Sequence, residues 1–149
     1  MRAVIQRVRR ASVRVNDMIQ GEITHGIVVL LGIRGNDTIT DLQWLAEKVV
    51  NLRIFEDQQG KMNRSLADID GEMLIISQFT LYGDCRKGRR PGFSSAAPPG
   101  IAEPLYQQFI EEVKNRQVRV ATGIFQATME VELVNDGPVT LLLDSEKQF

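Results

Sequence analysis

A chain of 149 residues is long enough for one domain with a substantial core. Its 43% hydrophobic and 25% charged residues fit an ordinary globular protein, and the longest apolar run, Ile27–Ile33, is far too short to span a bilayer. A single cysteine, Cys85, excludes an intramolecular disulfide, and a net charge of −1 excludes a uniformly basic nucleic-acid binder.

The first seven residues, Met1–Arg7, lack the apolar core of a signal peptide, so a cytoplasmic protein is expected. Arg2–Val8 reads as a first strand. Ser12–Val15 and Ile19–Ile23 flank Asn16-Asp17 and predict a hairpin. Gly26–Ile33 is a continuous apolar run, hence a buried strand, closed by Gly35-Asn36-Asp37. Asp37 or Thr38 caps a helix over Ile39–Leu52, whose apolar stripe is Leu42, Leu45, Ala46, Val49 and Leu52. Phe55–Ser65 is a polar stretch holding Asp57-Gln58-Gln59-Gly60. Glu72–Phe79 predicts another strand, with Met73–Ile76 as its buried centre.

Gly83–Gly100 is a long loop of glycine, proline and basic residues, and long ordered loops often carry function. A second helix is expected over Ile101–Arg116, with Pro104 tolerated in its first turn and Ala102, Leu105, Phe109 and Val113 on its apolar face. Strands follow at Thr128–Val134 and Val139–Leu143, and residues 144–149 read as a polar tail. No repeat or linker divides the chain, so a single domain over residues 1–149 of mixed α/β (α+β) class is expected.

Charge is concentrated. Arg2, Arg7, Arg9, Arg10 and Arg14 all precede the first acidic residue, Asp17, and Arg86, Lys87, Arg89 and Arg90 lie in an acid-free stretch between Asp84 and Glu103. Two positive segments on an acidic body are what a local polyanion site needs. Common catalytic inventories are missing. The sole histidine, His25, sits beside a predicted turn, where a histidine is more often solvated than catalytic. One His and one Cys do not make a usual zinc set. Gly60-Lys61 lacks the glycine and hydroxyl residue of a phosphate loop, since Phe55 and Met62 stand there. Cys85 begins Cys85–Pro91, whose Pro91 stands where an anion-cradling cysteine loop needs arginine. No metal or cofactor is expected.

Two motifs remain. In Asn135-Asp136-Gly137-Pro138-Val139-Thr140, Pro138 has no N–H to compete for the neighbouring carbonyls, and X-Pro bonds reach the cis form cheaply. Such a backbone wedge can sense shape without a reactive side chain. Taken alone, the motif reads as a tight hairpin between strands. In Ser77-Gln78-Phe79-Thr80, polar groups follow an apolar strand, where exposed backbone N–H groups can stabilise an oxyanion. Taken alone, this is a strand giving way to a loop.

Together, Ser77–Thr80 and Asn135–Thr140 resemble the two hallmarks of the D-aminoacyl-tRNA deacylase family. Further similarity lies in Ala3–Val8, Arg10–Val13, Arg53–Phe55, Gly60–Asn63 and Arg89–Ser94, and it runs from residue 1 to about 143. One departure is Gly92, where the family pattern leads one to expect a hydroxyl residue.

The resemblance implies a homodimeric enzyme that hydrolyses the ester between a D-amino acid and the terminal adenosine of tRNA. It implies a barrel-like sheet with two helices packed outside, a cis Gly137-Pro138 bond, and a pair from each subunit reaching into the other's site at the interface. Ser77, Gln78, Phe79 and Thr80 would then form the catalytic segment. Arg7, Asn135, Gly137, Pro138, Val139 and Thr140 would form the substrate filter, and Arg86, Lys87, Arg89 and Arg90 would hold tRNA.

Exclusion of L substrates predicts that glycyl-tRNA, for example glycine mischarged on tRNA(Ala), is cleaved too. Thr80 as nucleophile and water activated by the tRNA's own 2′-hydroxyl are both open routes. The poverty of acid–base residues favours the second, which gives Ser77, Gln78 and Thr80 positioning roles. The rival classes are a noncatalytic RNA-binding module stacking bases on Phe79, Tyr82 and Phe93, and a structural dimer without ligand. Aromatics are only 6% of the chain and show no spaced platform, which weighs against the first.

Overall fold

The computed structural model describes residues 1–148 of the chain. Its strands are β1 (Arg2–Val15), β2 (Met18–Ile23), β3 (Gly26–Gly32), β4 (Phe55–Glu56), β5 (Met62–Arg64), β6 (Glu72–Ser77), β7 (Arg119–Thr122) and β8 (Glu130–Asp144). Its helices are α1 (Ile39–Val50) and α2 (Pro99–Lys114). The main sheet runs β2-β1-β3-β6-β7, with β8 along the other edge of β1, while β4 and β5 form a separate ribbon.

β1 is antiparallel to β2, β3 and β8, whereas β3–β6 and β6–β7 are parallel. Parallel neighbours need crossovers, and α1 and α2 supply them. Thr38 caps α1 reciprocally: its hydroxyl accepts from the Asp41 N–H at 3.4 Å, and the Asp41 carboxylate accepts from the Thr38 N–H at 2.9 Å.

β3 and β6 are apolar on both faces because both faces are covered. Ile27, Val29, Leu31, Met73 and Ile75 face the core beneath the two helices, with Leu45, Val49, Phe109 and Val113. Val28, Leu74 and Ile76 face a second core with Val8, Val13 and Ile23, inside the curl of the sheet. The curl nearly closes where β2 meets β7. A Cβ added at Gly21 would lie 2.7 Å from the Thr122 carbonyl oxygen, so only glycine allows this approach.

Tyr106 ties α2 to the sheet by donating its hydroxyl hydrogen to the buried Ile75 carbonyl at 2.9 Å. Burial pushes this phenol up to about 12. Tyr106→Phe is expected to cost about 1 kcal/mol, because the Ile75 oxygen loses a partner that water does not replace. In urea unfolding this is a lower midpoint at unchanged m-value, and an unchanged midpoint contradicts it.

Several elements differ from the sequence expectation. β1 is one 14-residue strand rather than two, because bulges at Val8–Arg10 and Val13–Arg14 bend it without breaking its pairing. The polar stretch 55–65 contains the β4–β5 ribbon, and β7 was hidden in a short, mixed sequence. β6 stops at Ser77, and Phe79–Tyr82 forms a 3-10 turn. α2 begins at Pro99, which places Pro104 inside it rather than in its first turn.

The hairpin reading of Asn135–Thr140 is also overturned, since both flanks belong to β8 and pair with β1. The supposed polar tail is anchored: the Asp144 carboxylate accepts from Arg2 Nε at 3.1 Å, and Glu146 from Arg34 Nη1 at 2.6 Å. Phe149, its last residue, lies outside the described residues.

Candidate active site

The last ladder bond between β6 and β3 runs from the Gln78 N–H to the Leu31 carbonyl at 2.8 Å. The chain then tightens into the Phe79–Tyr82 turn, closed by Leu81 N–H to Gln78 O at 3.3 Å and Gly83 N–H to Thr80 O at 2.9 Å. The first N–H groups of such a turn have no carbonyl behind them. Among the described residues, the Phe79 and Thr80 N–H groups have no protein acceptor. Gln78 Nε2 donates to the Thr80 hydroxyl, which leaves that hydroxyl's hydrogen free to point outward. Phe79 is 55% exposed and meets Phe93 edge to face at 5.1 Å. A cavity of about 310 Å³ opens beside the turn, lined by Leu31, Ser77, Phe79, Phe93, Phe125 and Gln126 among others.

The second motif is a bulge. Gln6 pairs with Thr140 and Val8 with Asn135, so four residues, Asp136–Val139, oppose the single residue Arg7. Asn135 Nδ2 donates to the carbonyls of Arg7 and Val139, both at 2.9 Å, and clamps the base of the bulge. Arg7 is only 5% exposed. Its Nε donates to the Asp136 carbonyl at 3.1 Å and its Nη1 to the Ile54 carbonyl at 2.6 Å. The Asp136 carboxylate lies 3.4 Å from Arg7 and 3.3 Å from Arg9. Gln6 donates to the Thr140 hydroxyl at 3.3 Å. Val139 is buried in the core beneath the helices, while Gly137 and Pro138 stand exposed at the tip. The Gly137-Pro138 bond is cis, and Gly137 has φ +124°.

The two motifs do not meet within one chain. Gly137 lines a separate cavity of about 470 Å³ with Arg7, Arg9, His25, Phe55 and Asp136. Three strand spacings and four residue steps separate it from Ser77 along the sheet, about 20 Å. His25 packs on Phe55 at 5.3 Å, six residues along the chain from Leu31, the strand partner of Ser77. That is also about 20 Å away, too far to act as a base there. Among the described residues, no cluster of three His, Cys, Asp or Glu side chains is in range to hold a metal.

Residues 4–144 match the protein family described as D-Tyr-tRNA(Tyr) deacylase. The chain belongs to this family. It is 64% identical to the D-aminoacyl-tRNA deacylase of Desulfotalea psychrophila and 60% identical to that of Thermosipho africanus, in each case over the full length of both chains. A solved structure titled c-Myc DNA Unwinding Element Binding Protein superposes with a TM-score of 0.91 at 43% identity, covering 97% of this chain and 98% of the other. A probable eukaryotic D-amino acid tRNA deacylase shares the fold, with a TM-score of 0.83 at 20% identity over 95% and 97% of the two chains.

The deacylase is thus a hydrolase of the aminoacyl-tRNA ester bond. Its basic loop follows the Phe79–Tyr82 turn directly. Asp84 and Gly92 exchange backbone hydrogen bonds at 2.7 and 2.9 Å and close the loop at its neck. Arg86 donates to the Asp84 carboxylate through Nε and Nη2, which holds that carboxyl well below the usual range. Lys87, Arg89 and Arg90 are exposed and have no carboxylate partner among the described residues. A Cβ added at Gly92 would meet no atom within 4 Å, so the departure at this position leaves the loop's backbone bonds intact.

The deacylase also brings to the Ser77 cavity residues that sequence reasoning missed: Leu31, Ala97, Phe125 and Gln126. Leu31 read only as core. Phe125 and Gln126 sit in an aperiodic segment, and a lone aromatic there was their only signal. Gln126 has φ +63°, an uncommon conformation for a residue with a long side chain.

Proposed function

We propose that this deacylase works in the cytoplasm as a homodimer and proofreads chirality. The Gly137-Pro138 tip of one protomer enters the Ser77–Thr80 cavity of its partner. The observation that carries this reading is an exposed, firmly braced tip lying about 20 Å from the cavity of its own chain. A second copy resolves that separation. The outer edge of β8, unpaired among the described residues, offers a long surface for association.

In the assembled site, the carbonyl oxygens of Gly137 and Pro138 face the substrate Cα. A D-amino acid turns its Cα hydrogen toward them, whereas an L-amino acid drives its side chain into them. A clash plus desolvation of ~4–6 kcal/mol corresponds to three to four orders of magnitude in selectivity. Asn135, Val139, Thr140 and Arg7 serve as positioning residues for that tip. The phenyl-lined cavity suits the terminal adenine, because base–aromatic stacking contributes about 1–3 kcal/mol per base.

Hydrolysis proceeds by attack of water on the ester carbonyl carbon. The uncommitted Phe79 and Thr80 N–H groups receive the developing oxyanion, and the carbon–O3′ bond then breaks with the proton passing to the ribose oxygen. With no histidine, carboxylate or lysine of its own chain at the turn, the ribose 2′-hydroxyl assists the attacking water. Gln78 holds Thr80, and Ser77 shapes the cavity wall. A substrate ending in 2′-deoxyadenosine is expected to turn over about a hundredfold more slowly. Thr80→Ala should stay within about threefold of the parent, since it removes no base. Single-turnover rates on D-tyrosyl-tRNA measure both. Undiminished turnover of the deoxy substrate contradicts the RNA-assisted route.

Lys87, Arg89 and Arg90, with Arg86 as a more committed neighbour, contact phosphates of the acceptor end. Neutralising the three uncommitted cations should flatten the logarithmic salt dependence of tRNA binding by about 2–3. An unaltered slope rejects the assignment. The activity itself is tested by incubation with D-tyrosyl-tRNA: release of free D-tyrosine supports the reading, and intact ester contradicts it.

A further inference from the structure

The Phe79–Tyr82 turn is a 3-10 segment of four residues, a geometry whose own hydrogen bonds are poorly aligned. A side chain from outside the turn braces it at both ends. The Phe93 ring meets Phe79, the first residue of the turn, edge to face at 5.1 Å and 67°. It also covers Gly83, the residue that ends the turn. A Cβ added at Gly83 would lie 3.1 Å from Phe93 Cε1 and 3.0 Å from the Thr80 carbonyl oxygen. Glycine at this position lets the ring lie close against the backbone.

Phe93 is itself held from both sides. Immediately before it, Gly92 exchanges two backbone hydrogen bonds with Asp84, the residue after Gly83. Just after it, the Ala96 N–H donates to the Phe93 carbonyl at 3.1 Å, and the Ala97 N–H donates to the Ile33 carbonyl at 2.9 Å, past the end of β3. The ring is therefore fixed to the sheet on one side and to the exit of the turn on the other.

We propose that Phe93 is a positioning residue for deacylation: it holds the turn so that the Phe79 and Thr80 N–H groups stay aimed at the oxyanion. The inference rests on the oxyanion role given to those two groups under the proposed function. Such donors are effective because they are fixed before charge develops, and a turn free to flex loses that advantage. Phe93 also lines the Ser77 cavity, but lining and bracing act on different constants. A ring that only stacks on a base binds the ground state and the transition state alike and changes KM. A brace on the donors changes kcat.

The test uses D-tyrosine esterified to free adenosine, which has no phosphate for the basic loop, and circular dichroism to verify folding. Phe93→Ala is expected to lower kcat about tenfold. Phe93→Tyr keeps the ring against Phe79 and Gly83 and should recover kcat to within about threefold of the parent. Gly83→Ala pushes ring and turn apart from outside the wall of the Ser77 cavity, and should lower kcat about tenfold at unchanged KM. A phosphonate analogue of the ester, which carries a charged tetrahedral centre in place of the carbonyl carbon, reads the donors directly. It should shift the Phe79 and Thr80 amide proton resonances downfield in the unsubstituted protein and clearly less in Phe93→Ala. Parental kcat in either folded alanine variant, or a change confined to KM, overturns the proposal. The oxyanion reading then still stands where the analogue shifts both amides. Absence of any shift in the unsubstituted protein overturns the oxyanion reading and this inference with it.

Discussion

Gly137→Ala is expected to lower kcat/KM on D-tyrosyl-tRNA by about a hundredfold and to collapse the preference for D over L from at least about a thousandfold to less than about tenfold. Gly137 has φ +124°, a conformation that side-chain-bearing residues rarely adopt. An added Cβ would lie 2.8 Å from Val139 Cγ2 and 3.0 Å from Arg7 Nη2. Neither neighbour yields easily. Val139 is packed in the core, and Arg7 is buried and tied to the Asp136 and Ile54 carbonyls.

The backbone must therefore move, and the two carbonyls proposed as the filter move with it. A displacement near 1 Å at a reacting centre costs about a hundredfold in rate, which sets the expected loss on the D substrate. The L substrate gains the room that the D substrate does not need, so the ratio falls further than either rate alone. Steady-state kinetics on both esters, with circular dichroism to verify folding, measure this. A folded variant with parental rates and selectivity contradicts the role given to the tip.

Much of the scaffold was legible because single-residue chemistry controls it. The apolar runs in Gly26–Ile33 and Met73–Ile76 made β3 and β6 readable as buried strands, though β6 ends at Ser77 rather than at Phe79. Thr38 and the stripe through Leu42, Leu45, Ala46 and Val49 announced α1. Long-range pairing was not legible. The turn-forming residues Asn135–Pro138 predict a chain reversal, yet β1 pairs with the strand on both sides of them and turns the reversal into a bulge. Tertiary pairing overrode the local preference. β7 escaped notice because only four residues, Arg119–Thr122, form it, and a parallel partner rather than periodicity specifies it.

The candidate site divides in the same way. Ser77–Thr80 and Asn135–Thr140 stood out as motifs and Arg7 was named with them, and the structure adds their contacts. Arg7 is folded under the bulge, Asn135 clamps its base, and Phe125 reaches the Ser77 cavity from a distant, patternless loop. The 20 Å gap between the motifs follows from sheet register alone, and it turns two motifs of one chain into halves of two composite sites in the proposed dimer.

The central claim is that handedness is filtered by main-chain oxygens that leave no space on one side of the substrate Cα. Deacylation rates of D-tyrosyl-, glycyl- and L-tyrosyl-tRNA, taken side by side at one enzyme concentration, test it most directly. Glycine has no side chain to collide, so glycyl-tRNA, including glycine mischarged on tRNA(Ala), should be cleaved within about tenfold of the D ester. The L ester should lag by about a thousandfold or more. Glycyl-tRNA that survives as long as the L ester would mean that the site grips a D side chain instead of rejecting an L one, and the account would be wrong.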